Sequence, residues 1–227
     1  VAAGKNVKFG TDITVESTVV VTKDLTIDLN GKTLTSKQDG FEVTAGTLTI
    51  TAGTYHSDPT EWVAEGYVAE DNGDGTWTVV AKPVYVFKQS TQLGLIEPWS
   101  LKSNLYIQLN DAYLTETEIN ELVDFGVYFI RASELGNSGE LPTADMIIGN
   151  SNAIKFSKND AEHQATIALG SIGSMISTVY TEGIYTYELN DPIYVLYYIE
   201  DGYGIHYDVV KERNLLSMAT AAKDNAS

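Results

Sequence analysis

The sequence predicts a mostly β protein in which a short solenoid of stacked strands is followed by an antiparallel β-sandwich with one short helix. Thr, Val, Ile and Tyr are abundant, with 14 Tyr among 227 residues, and β-branched and aromatic side chains favour strands. Apolar and polar residues alternate along much of the chain, which is the period of a strand with one buried face. "LTIDLNGKTLTS" from Leu25 is nearly repeated by "LTITAGTYHS" from Leu48.

This repeat predicts the solenoid, which we place in residues 1–81. Leu25, Ile27 and Leu29 point to one face of a strand, and Leu48 and Ile50 repeat the same phase 23 residues later. A fixed longer period is typical of coils that bury their apolar sides against each other. The alternative is a pair of ordinary hairpins in a sandwich. Glycines stand at the expected corners: Gly31, Gly40, Gly46 and Gly53.

The end of this segment predicts a capping hairpin. "GYVAE" and "TWTVV" flank "DNGDG", in which glycines allow the positive φ of a tight turn. A few stacked coils expose apolar faces and strand edges at their ends, so a cap is needed. At the open end the cap is either a further coil or a partner subunit.

The phrases "LTIDLNGKTLT" and "GTLTITAGTYHSDPTEWVAEGYVAEDNGDGTWTV" resemble a repeat unit of large secreted surface proteins of gut bacteria. Their stalks are similar in shape to pectate lyases, and related units occur in some phage virion proteins. The resemblance covers about residues 7–80. It implies a right-handed β-helix sealed by a hairpin, on an extracellular, bacterial or virion surface, without implying lyase activity.

Residues 82–216 are predicted to form the antiparallel sandwich, because short apolar runs recur between Gly, Asn and Asp turns. Thr115 and Glu118 form a capping box that starts one short helix, and "TADMIIG" favours another helical turn. Residues 217–227 are predicted to be a polar tail. On the motif "DGYGIHY", this half of the chain resembles immunoglobulin-like accessory domains of the same surface proteins. The expected strands are "VYVFKQ", "SNLYIQL", "FGVYFIRAS", "AIKFSK", "QATIALG", "IYTYEL", "PIYVLYYIED" and "GIHYDVVKE".

Composition excludes several classes of function. The formal net charge of −17 opposes binding to phosphate backbones, so we expect no nucleic-acid partner. The absence of Cys removes disulfides and thiolate chemistry. No apolar run is long enough to span a bilayer, so membrane insertion is not expected.

Carboxylates were considered for metal binding and catalysis. Glu70, Asp71 and Asp74 could converge on Ca²⁺ in the "EDNGDG" loop, although a tight turn accounts for the same residues. Position 12 of a calcium loop would be Ala81, which cannot ligate. No other cofactor is expected. A calcium-assisted polysaccharide lyase would use the early carboxylates and lysines, but the catalytic set is incomplete. These residues are Lys23, Asp24, Asp28 and Lys32.

Aromatic residues crowd the last predicted hairpin, where they either stack on a ligand or simply pack the sheet. The candidate ligand-binding residues are Trp99, Tyr194, Tyr197, Tyr203 and Tyr207.

The sequence therefore predicts a non-catalytic, surface-exposed structural or attachment module, such as a stalk, fibre or decoration protein. The expected location is extracellular, on a bacterial cell or virion. The alternatives are a glycan- or receptor-binding adhesin domain and the lyase. Few coils with open ends predict a homo-oligomer, with a trimer plausible for a fibre, or a larger surface assembly.

Overall fold

The computed structural model describes residues 5–36, 40–94, 98–136, 141–181, 184–185 and 188–224. Strands make up 52 % of the structure and helices 13 %, which confirms the mostly β class. The chain divides into two compact units, Val1–Pro83 and Val84–Ser227. Within the described residues, no helix has both the length and the apolar character that crossing a bilayer requires.

The first unit is built from short strands joined by glycine-containing corners. A 3-10 helix at Thr60–Trp62 follows the sixth strand. The strands are β1 (Lys5–Lys8), β2 (Ile13–Val15), β3 (Val19–Val21), β4 (Leu25–Ser36), β5 (Phe41–Val43), β6 (Leu48–Tyr55), β7 (Tyr67–Asp71) and β8 (Trp77–Ala81).

Strands β1, β4 and β6 are parallel neighbours in one sheet. Leu25 lies opposite Leu48, and Ile27 opposite Ile50, so the register predicted from the repeat is confirmed at the start of β4 and β6; it shifts after Ile27. Strand β2 pairs in parallel with the second half of β4. Strands β3 and β5 form a separate parallel pair. Every strand pair among β1 to β6 is therefore parallel.

The inward-facing residues of these strands form one apolar core. Leu29 and Ile50 are fully buried, and Phe41 packs edge-on against Trp62 with ring centroids 5.6 Å apart. Two aspartates next to strands accept hydrogen bonds from backbone amides more than 20 residues later. Asp12 accepts a hydrogen bond from the Thr33 amide at 2.9 Å, and Asp24 accepts one from the Thr47 amide at 3.0 Å.

The predicted hairpin closes one side of this sheet. Strands β7 and β8 are antiparallel to each other, and β8 is antiparallel to β6, with Gly53 opposite Val79. Gly73 and Gly75 both have positive φ in the connecting turn, as the sequence requires. The hairpin thus occupies the hydrogen-bonding edge that β6 would otherwise leave free.

The second unit contains two antiparallel sheets and several helices. Its helices are α1 (Glu116–Glu121), α2 (Ala132–Leu135), α3 (Ala144–Ile148) and α4 (Leu215–Asp224). Its strands are β9 (Tyr85–Gly94), β10 (Ser100–Leu109), β11 (Ala112–Tyr113), β12 (Asp124–Arg131), β13 (Ile154–Ser157), β14 (Thr166–Leu169), β15 (Ser174–Tyr180), β16 (Ile193–Asp201), β17 (Gly204–Tyr207) and β18 (Lys211–Arg213).

One sheet contains β9, β10, β11, β14 and β15, and the other contains β12, β13, β16, β17 and β18. Residues from both sheets share one apolar core, including Leu105 and Ile176 from the first and Val127 and Tyr197 from the second. This arrangement is sandwich-like. A smaller cluster on the opposite face of β16 includes Ile147 of α3. Strand β16 is therefore buried on both faces.

The prediction of one short helix is wrong, because the described residues contain further helices. The predicted helix is present as α1, with the Thr115–Glu118 capping box, and α3 lies at the predicted "TADMIIG" turn. The prediction of a polar tail at 217–227 is also wrong for Ser217–Asp224, which belong to α4. Asn214 caps this helix by accepting a hydrogen bond from the Ser217 amide at 2.9 Å, while buried Leu215 and partly buried Met218 attach it to the core.

Two strand predictions also need correction. The described residues of "IYTYEL" contain no strand; they are irregular at Ile184 and Tyr185 and form a turn from Glu188. Conversely, "SMISTVY" forms β15, which was missed because Ser and Thr interrupt its apolar pattern. It pairs with β10, with Leu105 opposite Ile176.

Candidate functional site

Two of the three hairpin carboxylates proposed to bind calcium accept hydrogen bonds within the turn. Asp71 accepts a hydrogen bond from the Gly73 amide at 2.8 Å, and Asp74 accepts one from the Thr76 hydroxyl at 2.6 Å. The hydrogen bonds from Thr76 hold the pKa of the Asp74 carboxyl below its usual value. Among the described residues, no group of three or more His, Asp or Glu could hold a metal ion. The prediction that Glu70, Asp71 and Asp74 form a Ca²⁺ site is therefore corrected to a hydrogen-bonded turn.

The carboxylates considered for a lyase also have structural partners. Asp28 lies 3.4 Å from the Lys8 ammonium and accepts a hydrogen bond from the Asn30 amide at 2.7 Å. Asp24 accepts a hydrogen bond from the Thr47 amide, next to the start of β6. These contacts stabilise corners and neighbouring strands.

The aromatic residues proposed to bind a ligand do not form one surface. Tyr197 is fully buried in the core between the two sheets. Tyr194, three residues earlier, lies on the opposite face of β16 and is buried beside Leu196 and Ile147. The prediction that Tyr194 and Tyr197 contact a ligand is therefore wrong: both are packing residues, and burial raises the pKa of each hydroxyl.

The other three residues differ in position and exposure. Tyr203 and Tyr207 are 39 % and 37 % exposed; Tyr203 directly precedes the short strand β17, and Tyr207 is its last residue. Trp99 is partly buried against the core, and its amide donates to the Ile184 carbonyl at 2.7 Å. Tyr203 and Tyr207 thus keep accessible rings, whereas Trp99 mainly packs.

A network that the sequence did not predict surrounds Asp124. Its carboxylate accepts hydrogen bonds from the Tyr198 hydroxyl at 2.8 Å and the Ser157 hydroxyl at 2.9 Å. The Lys155 ammonium lies 3.6 Å away and 4.8 Å from the centre of the Tyr198 ring. Burial alone would raise the pKa of Asp124, but these bonds and the Lys155 charge lower it below its usual value.

Gly126 makes this network possible. A Cβ at this position would overlap the Phe156 carbonyl oxygen and lie 2.9 Å from the Tyr198 ring. Tyr198 is almost completely buried, and the ring of exposed Tyr207 lies 6.4 Å from it. Tyr207 is therefore the accessible edge of an otherwise packed aromatic cluster.

A second cluster of polar side chains connects β9 to β16. The Tyr85 hydroxyl donates to Asp201 Oδ2 at 2.9 Å, while His206 Nε2 lies 3.1 Å from Asp201 Oδ1. The His206 ring meets the Tyr85 ring edge-on, with centroids 5.0 Å apart. Burial works to raise the pKa of Asp201, but bonds from the Tyr203 amide, His206 and Tyr85 lower it overall. His206 is thus packed against Tyr85 and Asp201 on the sheet.

The first unit leaves an apolar cavity among its earliest strands. The cavity measures about 230 Å³ and has an entirely apolar lining that includes Phe9, Ile13 and Val15. Strands β1 and β2 pair only with β4 among the described residues, so each has one hydrogen-bonding edge without a described strand neighbour. We call this cavity with its two strand edges the open end.

No protein-family model, curated protein or solved structure matches the chain. The functional interpretation therefore depends on the geometry of the two units.

Proposed function

We propose that the chain is a non-catalytic, surface-exposed structural or attachment module, serving as a stalk, fibre or decoration element. One observation carries this proposal: strands β4 and β6 pair in parallel, with Leu25 opposite Leu48, and a hairpin lies on one side of the sheet while the open end lies on the other. Such a stack is extended by adding coils, because each coil buries its apolar side only against its neighbours.

The finer architecture is part of the proposal. We interpret the first unit as a right-handed β-helix, because parallel crossovers are almost always right-handed. We interpret the second unit as an immunoglobulin-like sandwich, supported by its two antiparallel sheets around one core.

The proposed setting is the outside of a bacterial cell or a phage particle. The strongly negative charge favours solubility on a crowded surface. The resemblance of residues 7–80 to stalk repeats of bacterial surface and virion proteins supports the same setting.

The open end is proposed to bind a second copy of the chain in a homo-oligomer, a trimer being the form expected for a fibre. Exposed strand edges accept further strands through backbone hydrogen bonds. Covering the apolar lining of the cavity removes apolar surface from water, which favours association. Because both partners are acidic, their repulsion weakens with salt. Association is therefore expected to increase as ionic strength rises.

Sedimentation velocity tests this contact. The 227-residue chain is expected to self-associate, and Ile13→Glu, which places a charge in the cavity, is expected to shift it towards monomer. Val20→Glu is the matched control, since Val20 is 53 % exposed on β3 and does not line the cavity. A wild-type monomer at every protein and salt concentration would contradict the contact.

The non-catalytic assignment has its own test. The purified chain is incubated with pectins, mucin glycans and other polysaccharides, with and without Ca²⁺, and chain cleavage is measured. No turnover is expected. Cleavage at ordinary enzyme rates that is lost in Asp28→Ala and on chelation would replace the structural role with the lyase alternative.

A second candidate function is glycan or receptor binding by the exposed tyrosines of β17 and its turn. The accessible rings of Tyr203 and Tyr207 favour it, since aromatic faces stack on sugar rings. Glycan-array binding is compared for wild type, Tyr203→Ala and Tyr207→Ala, with Val209→Ala as the control at an exposed apolar residue. This function is supported if wild type binds a glycan, at least one tyrosine variant loses that binding and Val209→Ala keeps it. Absence of wild-type binding contradicts glycan recognition.

A further inference from the structure

The turn between β14 and β15 carries the most exposed large apolar side chain among the residues that the structure describes. Leu169 is 86 % exposed, and Ile172, three residues later, is 50 % exposed. Both lie at the end of an antiparallel hairpin in which Leu169 pairs with Ser174. We call residues 169–173 the apolar turn.

The apolar turn lies in a long uncharged stretch of a highly charged chain. Residues 164–181 contain no Asp, Glu, Lys or Arg, although the chain carries 31 acidic and 14 basic residues. Other exposed apolar residues have acidic neighbours in sequence: Val123 precedes Asp124, and Val209 follows Asp208. Because like charges repel, two copies that each carry a net charge of −17 approach most easily through uncharged parts of their surfaces.

Backbone and aromatic contacts hold the apolar turn in place. The Gly170 amide donates a hydrogen bond to the Gly173 carbonyl at 2.9 Å. The Tyr106 ring lies against Gly170, where a Cβ would overlap the tyrosine hydroxyl and ring. Tyr106 in turn meets Tyr113 edge-on, with ring centroids 6.0 Å apart. A turn that is ordered before it binds a partner loses less conformational entropy on binding.

Lys88 brings a positive charge to this aromatic pair. Its ammonium donates a hydrogen bond to the Tyr113 hydroxyl at 2.9 Å and lies 5.1 Å from the centre of the Tyr113 ring. This charge is opposite in sign to the net charge of a second copy. It therefore does not oppose the approach of that copy.

The open end offers a complementary surface. Its cavity measures about 230 Å³ and has an entirely apolar lining. An apolar cavity of about 150 Å³ stays dry and holds a ligand of the size of benzene, so the larger volume accommodates a leucine side chain. Filling the cavity with such a side chain removes apolar surface of both partners from water.

We propose that the apolar turn of one copy enters the open end of the next copy, with Leu169 in the cavity. This inference rests on the proposed self-association through the open end and names the surface that the second copy contributes. Two different surfaces of the chain meet, so a dimer keeps one free open end and one free apolar turn. Contacts of this kind close into rings, such as the trimer expected for a fibre, or continue as open filaments.

Sedimentation velocity of the full chain tests the contact with Leu169→Glu. Its association is expected to be at least about tenfold weaker than that of wild type, because the contact would bury a charge in an apolar cavity. Leu141→Glu is the matched control: it makes the same substitution at a side chain that is 60 % exposed, and it should associate like wild type.

The outcomes separate this inference from the proposed function. Wild-type association by Leu169→Glu together with a monomeric Ile13→Glu would overturn the role of the apolar turn and keep the contact at the open end. Equal weakening by Leu169→Glu and Leu141→Glu would also overturn that role, because it would show a general effect of added charge. A monomeric wild type would overturn both the inference and the proposed self-association.

Mixing two variants tests the direction of the contact. Leu169→Glu keeps an intact open end, and Ile13→Glu keeps an intact apolar turn. An equimolar mixture is expected to form dimers and no longer assemblies, because each pair of copies retains one functional contact. A mixture that stays monomeric while wild type associates would contradict the contact between turn and open end.

Disulfide cross-linking provides a second test should Ile13→Glu fail to fold, as judged by circular dichroism. The chain has no cysteine, so every disulfide reports on introduced residues. Leu169→Cys and Ile13→Cys are mixed under oxidising conditions, and mixed dimers are expected in excess over dimers of either variant. Leu141→Cys in place of Leu169→Cys should give no such excess. Dimers of Ile13→Cys as the main product would show that open ends meet each other, and the inference would then be wrong.

Discussion

Tyr198 donates a hydrogen bond to Asp124 at 2.8 Å across two neighbouring strands of the second unit. Both side chains are almost completely buried, and the carboxylate also receives the Ser157 hydroxyl. Removing the carboxylate therefore takes away the acceptor of both hydroxyls, and removing the Tyr198 hydroxyl takes one donor from the carboxylate.

Asp124→Asn and Tyr198→Phe are each expected to lower the free energy of unfolding by about 1–3 kcal/mol. Because the two residues contact each other, the double variant should lose less than the sum of the single losses. Urea denaturation of the four proteins checks this double-mutant cycle. Strictly additive losses would show that the hydrogen bond does not couple the two residues.

The same network predicts acid sensitivity. The pKa of Asp124 is lowered in the folded protein, so at acidic pH the unfolded chain binds more protons at this residue than the folded chain does. The Asp124 carboxylate contributes its full stabilisation at pH values above its pKa in the unfolded chain, about 3.9. This contribution is lost as the pH falls through its lower pKa in the folded protein.

Asp124→Asn should therefore flatten the dependence of unfolding free energy on pH below about pH 5. Tyr198→Phe keeps the carboxylate but removes one donor, so an intermediate slope is expected. Denaturation series across acidic pH provide the measurement. Parallel curves for wild type and Asp124→Asn would contradict the assignment.

Gly53 is expected to be indispensable for stacking in the first unit. Its φ is +110°, and a Cβ there would overlap the Leu29 side chain. Gly53→Ala should lower the free energy of unfolding by more than about 1–3 kcal/mol, since steric overlap adds to backbone strain. Gly31→Ala is the matched control, with φ +72° and no atom within 4 Å of the added Cβ. Equal losses in the two variants would contradict the steric contribution.

Tyrosine variants distinguish packing from binding. Tyr197→Ala should lower the free energy of unfolding by about 3–5 kcal/mol, as expected for deletion of a fully buried ring. Tyr203→Ala should change it by no more than about 0.5–1 kcal/mol, because the side chain lies on the surface. Thermal and urea denaturation check both values. A small effect of Tyr197→Ala would contradict its assignment to the core.

Local repetition made the first unit partly predictable. Leu25 and Leu48 share a phase in sequence, and their strands are neighbours in space, so periodicity alone gave the pairing. The β7–β8 hairpin is equally predictable from the sequence, because its two strands are separated only by a short turn that contains glycines. The carboxylates in that turn were ambiguous, since a turn and a calcium loop use the same residue types.

The second unit depends on partners far apart in the chain. Leu105 on β10 pairs with Ile176 on β15, and no spacing rule connects them. Alternation correctly places Tyr194 and Tyr197 on opposite faces of β16. It could not show that both faces are buried, because the cover of the Tyr194 face comes partly from α3.

The pairing of Leu25 with Leu48 and of Ile27 with Ile50 makes the start of β4 sensitive to the phase of insertions. One extra residue between Leu25 and Ile27 would send the following apolar side chains outward and turn threonines into the core. A duplication of the whole 23-residue interval would keep the phase that Leu25 and Leu48 share. Insertions in the strands of this sheet therefore disrupt its core unless they preserve the alternation of inward and outward residues.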